Sequence, residues 1–226
     1  MKKLPLILVV SFICLISSAF LFARAQRGQA PGGASSMMSF FVSSKGSGDG
    51  GNLGGIAGAD YMCQTLAEAV GSMKTWHAYL STRAGDNATT ILNARERIGK
   101  GPWYNSKGQV IAKSVDDLHG ENNNLNKQTA LTEKGETLKG FGDTPNTHDI
   151  LTGSLPNGTA YPRDDKDHTC YNWTSNKENG SAQVGHFDRM GGNNTSWNSA
   201  HATMGCSQAN LSTTGGAGLF YCFAVD

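Results

Sequence analysis

Apolar residues recur at two different spacings along the chain, and each spacing predicts a different element. Over residues 56–70 they return every three or four positions, as in an amphipathic helix, and Cys63 lies on the apolar stripe. Over residues 75–82 apolar and polar positions alternate, which predicts a strand buried on one side and places Trp76 in the core. The pattern therefore predicts a helix followed closely by a strand.

Shorter apolar runs, separated by turn residues, predict the remaining elements. Strands are expected at 39–44, within 103–113 about a turn at 106–108, at 150–153 and 159–161 as a hairpin, at 169–174 and at 219–225. Short helices are expected within 91–98 and 115–118. The polar residues 120–145 are predicted to form exposed loop. Residues 175–218 far exceed the usual connection of about 4–6 residues, so function is expected there.

The N-terminus has the features of an export signal. Two lysines precede an uncharged apolar run that ends in a small-x-small sequence at 23–25. We expect a signal peptide over 1–25 cleaved before Gln26, a flexible lead-in over 26–38 and one domain over 39–226. The alternative is an uncleaved anchor, since the run approaches the roughly 20 residues that span a bilayer. We expect no membrane span once the leader is removed. The mature protein is expected to be secreted, periplasmic or attached to the cell surface.

Composition and cysteine content narrow the class of protein. The 29 glycines indicate a loop-rich globular domain. The formal net charge is +1, and it becomes −2 once Lys2, Lys3 and Arg24 leave with the leader, which argues against a nucleic-acid partner. No heptad pattern or long repeat is present, which excludes coiled coils and solenoids. Cys14 would leave with the leader, and an even number of cysteines would remain in an oxidising compartment. Two disulfides are expected, with three pairings open.

Several short motifs occur in a characteristic order. They are Gly54-Gly55, Gly58-Ala59-Asp60, Cys63, residues 76–81, residues 170–173 and the terminal Tyr221-Cys222-Phe223. In this order they resemble the C-type-lectin-like fold, and more narrowly the bacterial secreted lectin-like, endostatin-related domains, a family of unknown function. The resemblance covers about residues 39–226. It implies an α+β fold with a small twisted antiparallel sheet, one main helix, short helices, a long loop region and two disulfides.

The resemblance also implies which cysteines pair and whether metal is bound. It implies that Cys63 pairs with Cys222 and holds the helix to the sheet. It also implies that Cys170 pairs with Cys206 and braces loops too polar to form a core.

Sugar-binding members of the wider fold hold calcium with a proline tripeptide in the long loop and a Trp-Asn-Asp strand. Here the strand ends in Ser199 and the tripeptide is missing. No metal or cofactor is expected, and ligand binding should survive chelation.

Polar side chains around one aromatic ring in the long loop are the candidate ligand-binding residues. They are Asp188, Asn193, Asn194, Trp197 and Asn198. The alternative is a solvated loop with the Trp197 ring packed inward, and for Asn172 and Trp173 a structural role is expected.

Catalytic chemistry finds little support in the sequence. The six histidines are scattered singly, and no hydrolase, zinc-protease or phosphate-loop motif occurs. The acidic run 164–168 could hold a metal with His186 and Asp188, although such a run is more often a solvated loop. The first hypothesis is a secreted, non-enzymatic module that binds a glycan or an extracellular protein. The alternatives are a structural or adhesive surface protein, using the loops for subunit contacts, and a metal enzyme.

Overall fold

The computed structural model describes residues 36–84 and 91–226. All of the described residues belong to one compact unit. The expected signal peptide and nearly all of the expected lead-in lie outside the described residues. Met38, at the end of that lead-in, is buried. None of the described helices has the length and apolar character that crossing a membrane requires.

The described residues form eight strands and five helices. The strands are β1 (Phe40–Val42), β2 (Trp76–Ala78), β3 (Trp103–Tyr104), β4 (Val110–Ala112), β5 (Asp149–Leu151), β6 (Gln183–His186), β7 (His201–Ala202) and β8 (Gly216–Ala224). The helices are α1 (Gly55–Ala69), α2 (Ala94–Arg97), α3 (Val115–His119), α4 (Cys170–Trp173) and α5 (Gln208–Thr213). The fold is therefore α+β, with one main helix, as expected.

The terminal strand β8 organises the six-stranded sheet. The strand order is β1-β8-β5-β6-β7, and β2 also pairs with β8. Both β1 and β2 run antiparallel to β8, with Phe40 opposite Phe223 and Trp76 opposite Ala224. The strand β5 runs parallel to β8, so the expected antiparallel sheet contains one parallel pair. The strands β3 and β4 form a separate hairpin.

The alternation of side chains along β8 divides the core into two clusters. Phe220, Cys222 and Ala224 pack with α1, whereas Leu219, Tyr221 and Phe223 pack in the second cluster. Because Cys63 lies on the buried stripe of α1, it meets Cys222, and the two are bonded with their Cα atoms 5.6 Å apart. Cys170 and Cys206 form the second disulfide.

The pairing implied by the resemblance is confirmed. The second bridge, however, lies in the same buried cluster as the first. The expectation that this bridge braces loops too polar to form a core is therefore wrong, since Cys170, Trp173 and Cys206 are buried in that cluster.

Residues 169–174 do not form the expected strand. All four residues of α4 have positive φ angles, from 45° at Cys170 to 66° at Trp173. Left-handed backbone is unfavourable for residues with a Cβ atom, so tertiary contacts must hold this turn. Trp173 Nε1 donates to the Ser81 carbonyl at 2.8 Å, and Cys170 is tied to Cys206. The β propensity of these residues is overridden by those contacts.

Two other expectations need correction. Residues 120–145 are irregular but not simply exposed, since Leu125, Ala130 and Leu131 are buried. The expected hairpin of 150–153 with 159–161 is reduced to one isolated bridge, because β5 pairs with β6 and β8 instead. In the long region 175–218, the strands β6 and β7 and the helix α5 were not expected.

Candidate functional site

All five predicted ligand-binding residues lie in the loop 187–200, which joins β6 to β7. They differ in exposure. Asp188, Trp197 and Asn198 are buried, whereas Asn193 and Asn194 are exposed. The loop therefore has a buried base and an exposed tip, and only the tip is available to a partner in solution.

The Trp197 ring belongs to the core. It is 3% exposed and packs against Tyr79 and Tyr221, with ring centroids 5.0 and 5.3 Å apart. The Tyr221 hydroxyl donates a 2.7 Å hydrogen bond to the Trp197 carbonyl. Burial raises the pKa of Tyr221, so the hydroxyl keeps the proton that it donates. These contacts favour the alternative in which the ring packs inward.

Asn198 holds the base of the loop through a chain of buried hydrogen bonds. Its amide donates to the Tyr79 hydroxyl at 2.9 Å and to the carbonyls of residues 155–156 at 3.2 Å. The Tyr79 hydroxyl lies 2.8 Å from His119 Nε2, and His119 Nδ1 lies 2.7 Å from the Val115 carbonyl. Burial lowers the pKa of His119, so Nε2 remains the neutral acceptor that the chain requires. Asn198 is thus a positioning residue.

Asp188 anchors two segments of the surface. Its carboxylate accepts the Phe141 N–H at 2.6 Å and the Met190 N–H at 3.0 Å, and it lies 3.3 Å from His148 Nδ1. Burial raises the pKa of Asp188, but these three donors lower it by more, so the net pKa lies below its usual value. The ionised carboxylate fixes Phe141 and Met190 side by side.

No sequence pattern selects Phe141 or Met190, yet both face solvent beside the loop. Their exposed fractions are 49% and 48%. The Phe141 ring lies against the loop backbone, since a Cβ added at Gly191 would come within 2.7 Å of its Cδ2 atom. Phe141 is therefore an exposed aromatic ring next to the loop. It offers the aromatic surface that was predicted for Trp197.

The two exposed asparagines at the tip differ in their hydrogen bonding. The Asn194 amide donates to the carbonyls of Ser199 and Ala200 at 2.9 Å, which closes the loop on itself. The Asn193 side chain makes no hydrogen bond to another described residue. Together with Phe141 and Met190, the two asparagines form what we call the loop-tip surface.

Four side chains from three separate segments of the sequence meet at the base of the same loop. Asp149 begins β5 directly opposite His186 at the end of β6, His201 begins β7, and His148 precedes β5. Asp149 Oδ1 lies 3.3 Å from the Nε2 atoms of His148 and His186, and 3.4 Å from that of His201. These three histidines are scattered singly in the sequence, and the fold brings them together around Asp149. We call the four residues the histidine cluster.

The charge in the histidine cluster is concentrated on Asp149. Burial raises the pKa of Asp149, but contacts with His186 and His201 lower it by more, so its pKa lies below the usual value. Contact with Asp149 raises the pKa of His201. Within residues 36–84 and 91–226, the group whose possible metal-donor atoms all lie within 4.8 Å consists of His148, Asp149 and His186.

The acidic run does not join this group. His168 Nε2 lies 3.0 Å from Asp164 within the run, and the His168 ring stacks on Tyr161 at 3.8 Å. His186 instead stacks on His148 at 4.1 Å. The hypothesis of a metal site built from residues 164–168 with His186 and Asp188 is therefore wrong.

A cleft of about 650 Å³ lies elsewhere on the domain. It is lined by residues near the start of the domain, by the turn preceding β3 and by the C-terminal residues, and Lys74 reaches into it. None of the predicted ligand-binding residues lines this cleft.

Comparison with protein-family models gives one match that bears on these features. The model described as collagenase NC10 and endostatin matches residues 44–188, well over half of the chain. The matched segment contains α1 with Cys63, the turn at Cys170 and the anchor Asp188. Domains of this kind are non-enzymatic and have the C-type-lectin-like fold. With its α+β fold and two disulfides, the chain belongs to the endostatin family.

Proposed function

We propose that the protein is an exported, non-enzymatic module that binds a glycan or an extracellular protein through the loops between Cys170 and Cys206. The observation that carries this proposal is the loop-tip surface, an exposed set of side chains on a rigidly held base. Asn193 and Asn194 would contact the ligand. Asp188, Trp197 and Asn198 would hold the loop in shape from below.

The rigidity of the base favours binding. A ligand that meets a loop already held in one conformation avoids much of the entropy cost of ordering that loop. The base is held by the Tyr221 hydrogen bond to Trp197 and by the Asn198 amide. Both contacts are buried, so water does not compete with them.

The chemistry of the tip suits either class of ligand. An exposed ring offers a flat apolar face for a sugar or a protein side chain, and amides supply donors and acceptors at its edge. Aromatic and methionine side chains are also enriched in protein interfaces. Phe141 and Met190 supply the apolar part, and Asn193 supplies an amide that makes no hydrogen bond to another described residue.

A glycan array and a pull-down from extracellular material, both with the domain from Gln26 onward, test the proposal. Phe141→Ala and Asn193→Ala should each weaken binding about tenfold, the loss typical of a central contact residue. Tyr61→Ala is the matched control, because Tyr61 is an aromatic residue on α1 that is 72% exposed. Equal weakening by all three variants, or ligand binding that none of them affects, would place the binding site elsewhere.

The same exposed apolar pair also favours the alternative of a structural or adhesive surface protein. Two copies could bury Phe141 and Met190 against each other. Size-exclusion chromatography over a range of concentrations separates the two functions. Association that Phe141→Ala abolishes would support the adhesive role, whereas a monomer at every concentration would support the ligand-binding module.

Export is part of the proposal. Two disulfides are typical of proteins that fold in an oxidising compartment, and the family is lectin-like. Intact-mass measurement and N-terminal sequencing of exported material should give Gln26 as the first residue. Recovery of Met1 on membrane-bound protein would favour the anchor instead.

A further inference from the structure

The histidine cluster buries polar atoms that lack hydrogen-bond partners. Among the described residues, neither carboxylate oxygen of Asp149 and neither ring nitrogen of His186 has a hydrogen bond of normal geometry. Both side chains are more than nine-tenths buried. Buried polar groups without partners cost free energy, and such groups at one point in a structure call for a specific explanation.

The spacing of these atoms matches that of ligands around one metal ion. A tetrahedral zinc ion with bonds of about 2.0–2.1 Å places neighbouring donor atoms about 3.3–3.4 Å apart. Asp149 Oδ1 lies 3.3 Å from the Nε2 atoms of both His148 and His186, and the donor atoms of these three residues all lie within 4.8 Å of one another. His201 Nε2 lies 3.4 Å from Asp149 Oδ1 but outside this mutually close group. A carboxylate oxygen and neutral imidazole nitrogens are also a ligand set that zinc accepts in proteins.

The surroundings supply an acceptor for the Nδ1 proton of two of the imidazoles. His148 Nδ1 lies 3.3 Å from Asp188 Oδ1, and His201 Nδ1 lies 3.1 Å from the Ala202 carbonyl. A proton on each Nδ1 leaves the Nε2 lone pair free and directed toward Asp149. Such carboxylate or carbonyl contacts behind a histidine accompany most histidine-bound metals.

The balance of charge also favours a dication. Asp149 and Asp188 place two carboxylates, both almost fully buried, on either side of His148. A divalent ion would neutralise both. The His201 side chain is 37% exposed, which gives an ion a route into the cluster from solvent.

We infer that His148, Asp149 and His186 form a site for zinc or a similar divalent transition metal, and that His201, whose Nε2 lies 3.4 Å from Asp149 Oδ1, moves in to complete a tetrahedral ligand set when the ion binds. The ion would join β5, β6 and β7, of which β7 is only two residues long. His186 and His201 flank the loop 187–200, so the metal would clamp the base of that loop. The site does not depend on the proposed ligand-binding function.

Zinc binding by the domain from Gln26 onward tests this inference directly. Metal-free protein should take up one zinc per chain in a titration against a competing chelator, with a rise in melting temperature. Cobalt should give the intense visible absorption of tetrahedral Co²⁺. His186→Gln and His201→Gln should lower zinc affinity at least tenfold, and Asp188→Asn should lower it by about 10–100-fold through the orientation of His148.

His77→Gln is the matched control, because His77 is a half-buried strand histidine outside the cluster. Its zinc affinity and cobalt spectrum should equal those of the wild type. Circular dichroism of each metal-free variant shows whether it is folded, and the exposed position of His201 makes His201→Gln the variant best able to fold. Folded wild-type protein that binds no zinc, or zinc binding that His201→Gln and His186→Gln leave unchanged, would overturn the site.

Discussion

Removing the disulfide between Cys63 and Cys222 should destabilise the whole domain more than removing the one between Cys170 and Cys206. The first bridge joins residues 159 apart and the second joins residues 36 apart. On the chain-entropy estimate, closing these loops contributes about 5 and about 4 kcal/mol, respectively. Since domains are stable by roughly 5–15 kcal/mol, either loss is large.

The structure shows how to isolate this difference. All four cysteines are fully buried in one cluster, so serine would add the cost of a buried hydroxyl. Paired alanine substitutions avoid that cost. For a domain of this size each kcal/mol shifts the melting temperature by roughly 2–4 °C, which predicts losses of roughly 10–20 °C and 8–16 °C.

Thermal melts of both double variants, followed by circular dichroism, measure the difference. The variant lacking Cys63 and Cys222 should melt lower by roughly 2–4 °C, corresponding to about 1 kcal/mol. Wild-type protein treated with a reductant should melt no higher than either variant. The reverse order of melting temperatures would refute the explanation by loop length and would show that the left-handed turn at Cys170 depends more strongly on its bridge.

Three further outcomes are expected. Tyr221→Phe leaves the buried Trp197 carbonyl without its donor, so chemical denaturation should show a loss of about 1–3 kcal/mol; no loss would contradict the role of that hydrogen bond. Burial lowers the pKa of His119 below the usual value of about 6.5. Neutral His119 therefore contributes fully to folding stability above about pH 6.5, and this contribution is lost as the pH falls below that value. The stability difference between wild type and His119→Gln should therefore shrink in acid, and a constant difference would contradict this. The resemblance to calcium-binding lectin-like domains implies an aspartate where this chain has Ser199, and a serine lacks that carboxylate. Calcium should therefore neither raise the melting temperature nor restore ligand binding after chelation, and restoration of binding by calcium would contradict this.

Much of the fold follows from periodicity that is visible in the sequence. The three-and-four spacing over 56–70 became α1, and the apolar run near the C-terminus became β8. These elements are predictable because their buried faces are defined by local spacing. The left-handed turn at Cys170–Trp173 was not predictable, since long-range contacts impose a backbone that its residues would not adopt alone.

The two candidate sites also combine features that the sequence predicts with features that only the fold reveals. The sequence by itself showed that the region between Cys170 and Cys206 is long and polar, and it predicted the ligand-binding loop there. Only the tertiary structure decided that Trp197 packs inward and that Phe141 lies at the surface, because burial depends on neighbours from distant segments. The histidine cluster depends on strand register, which places Asp149 opposite His186. No local sequence pattern encodes that register.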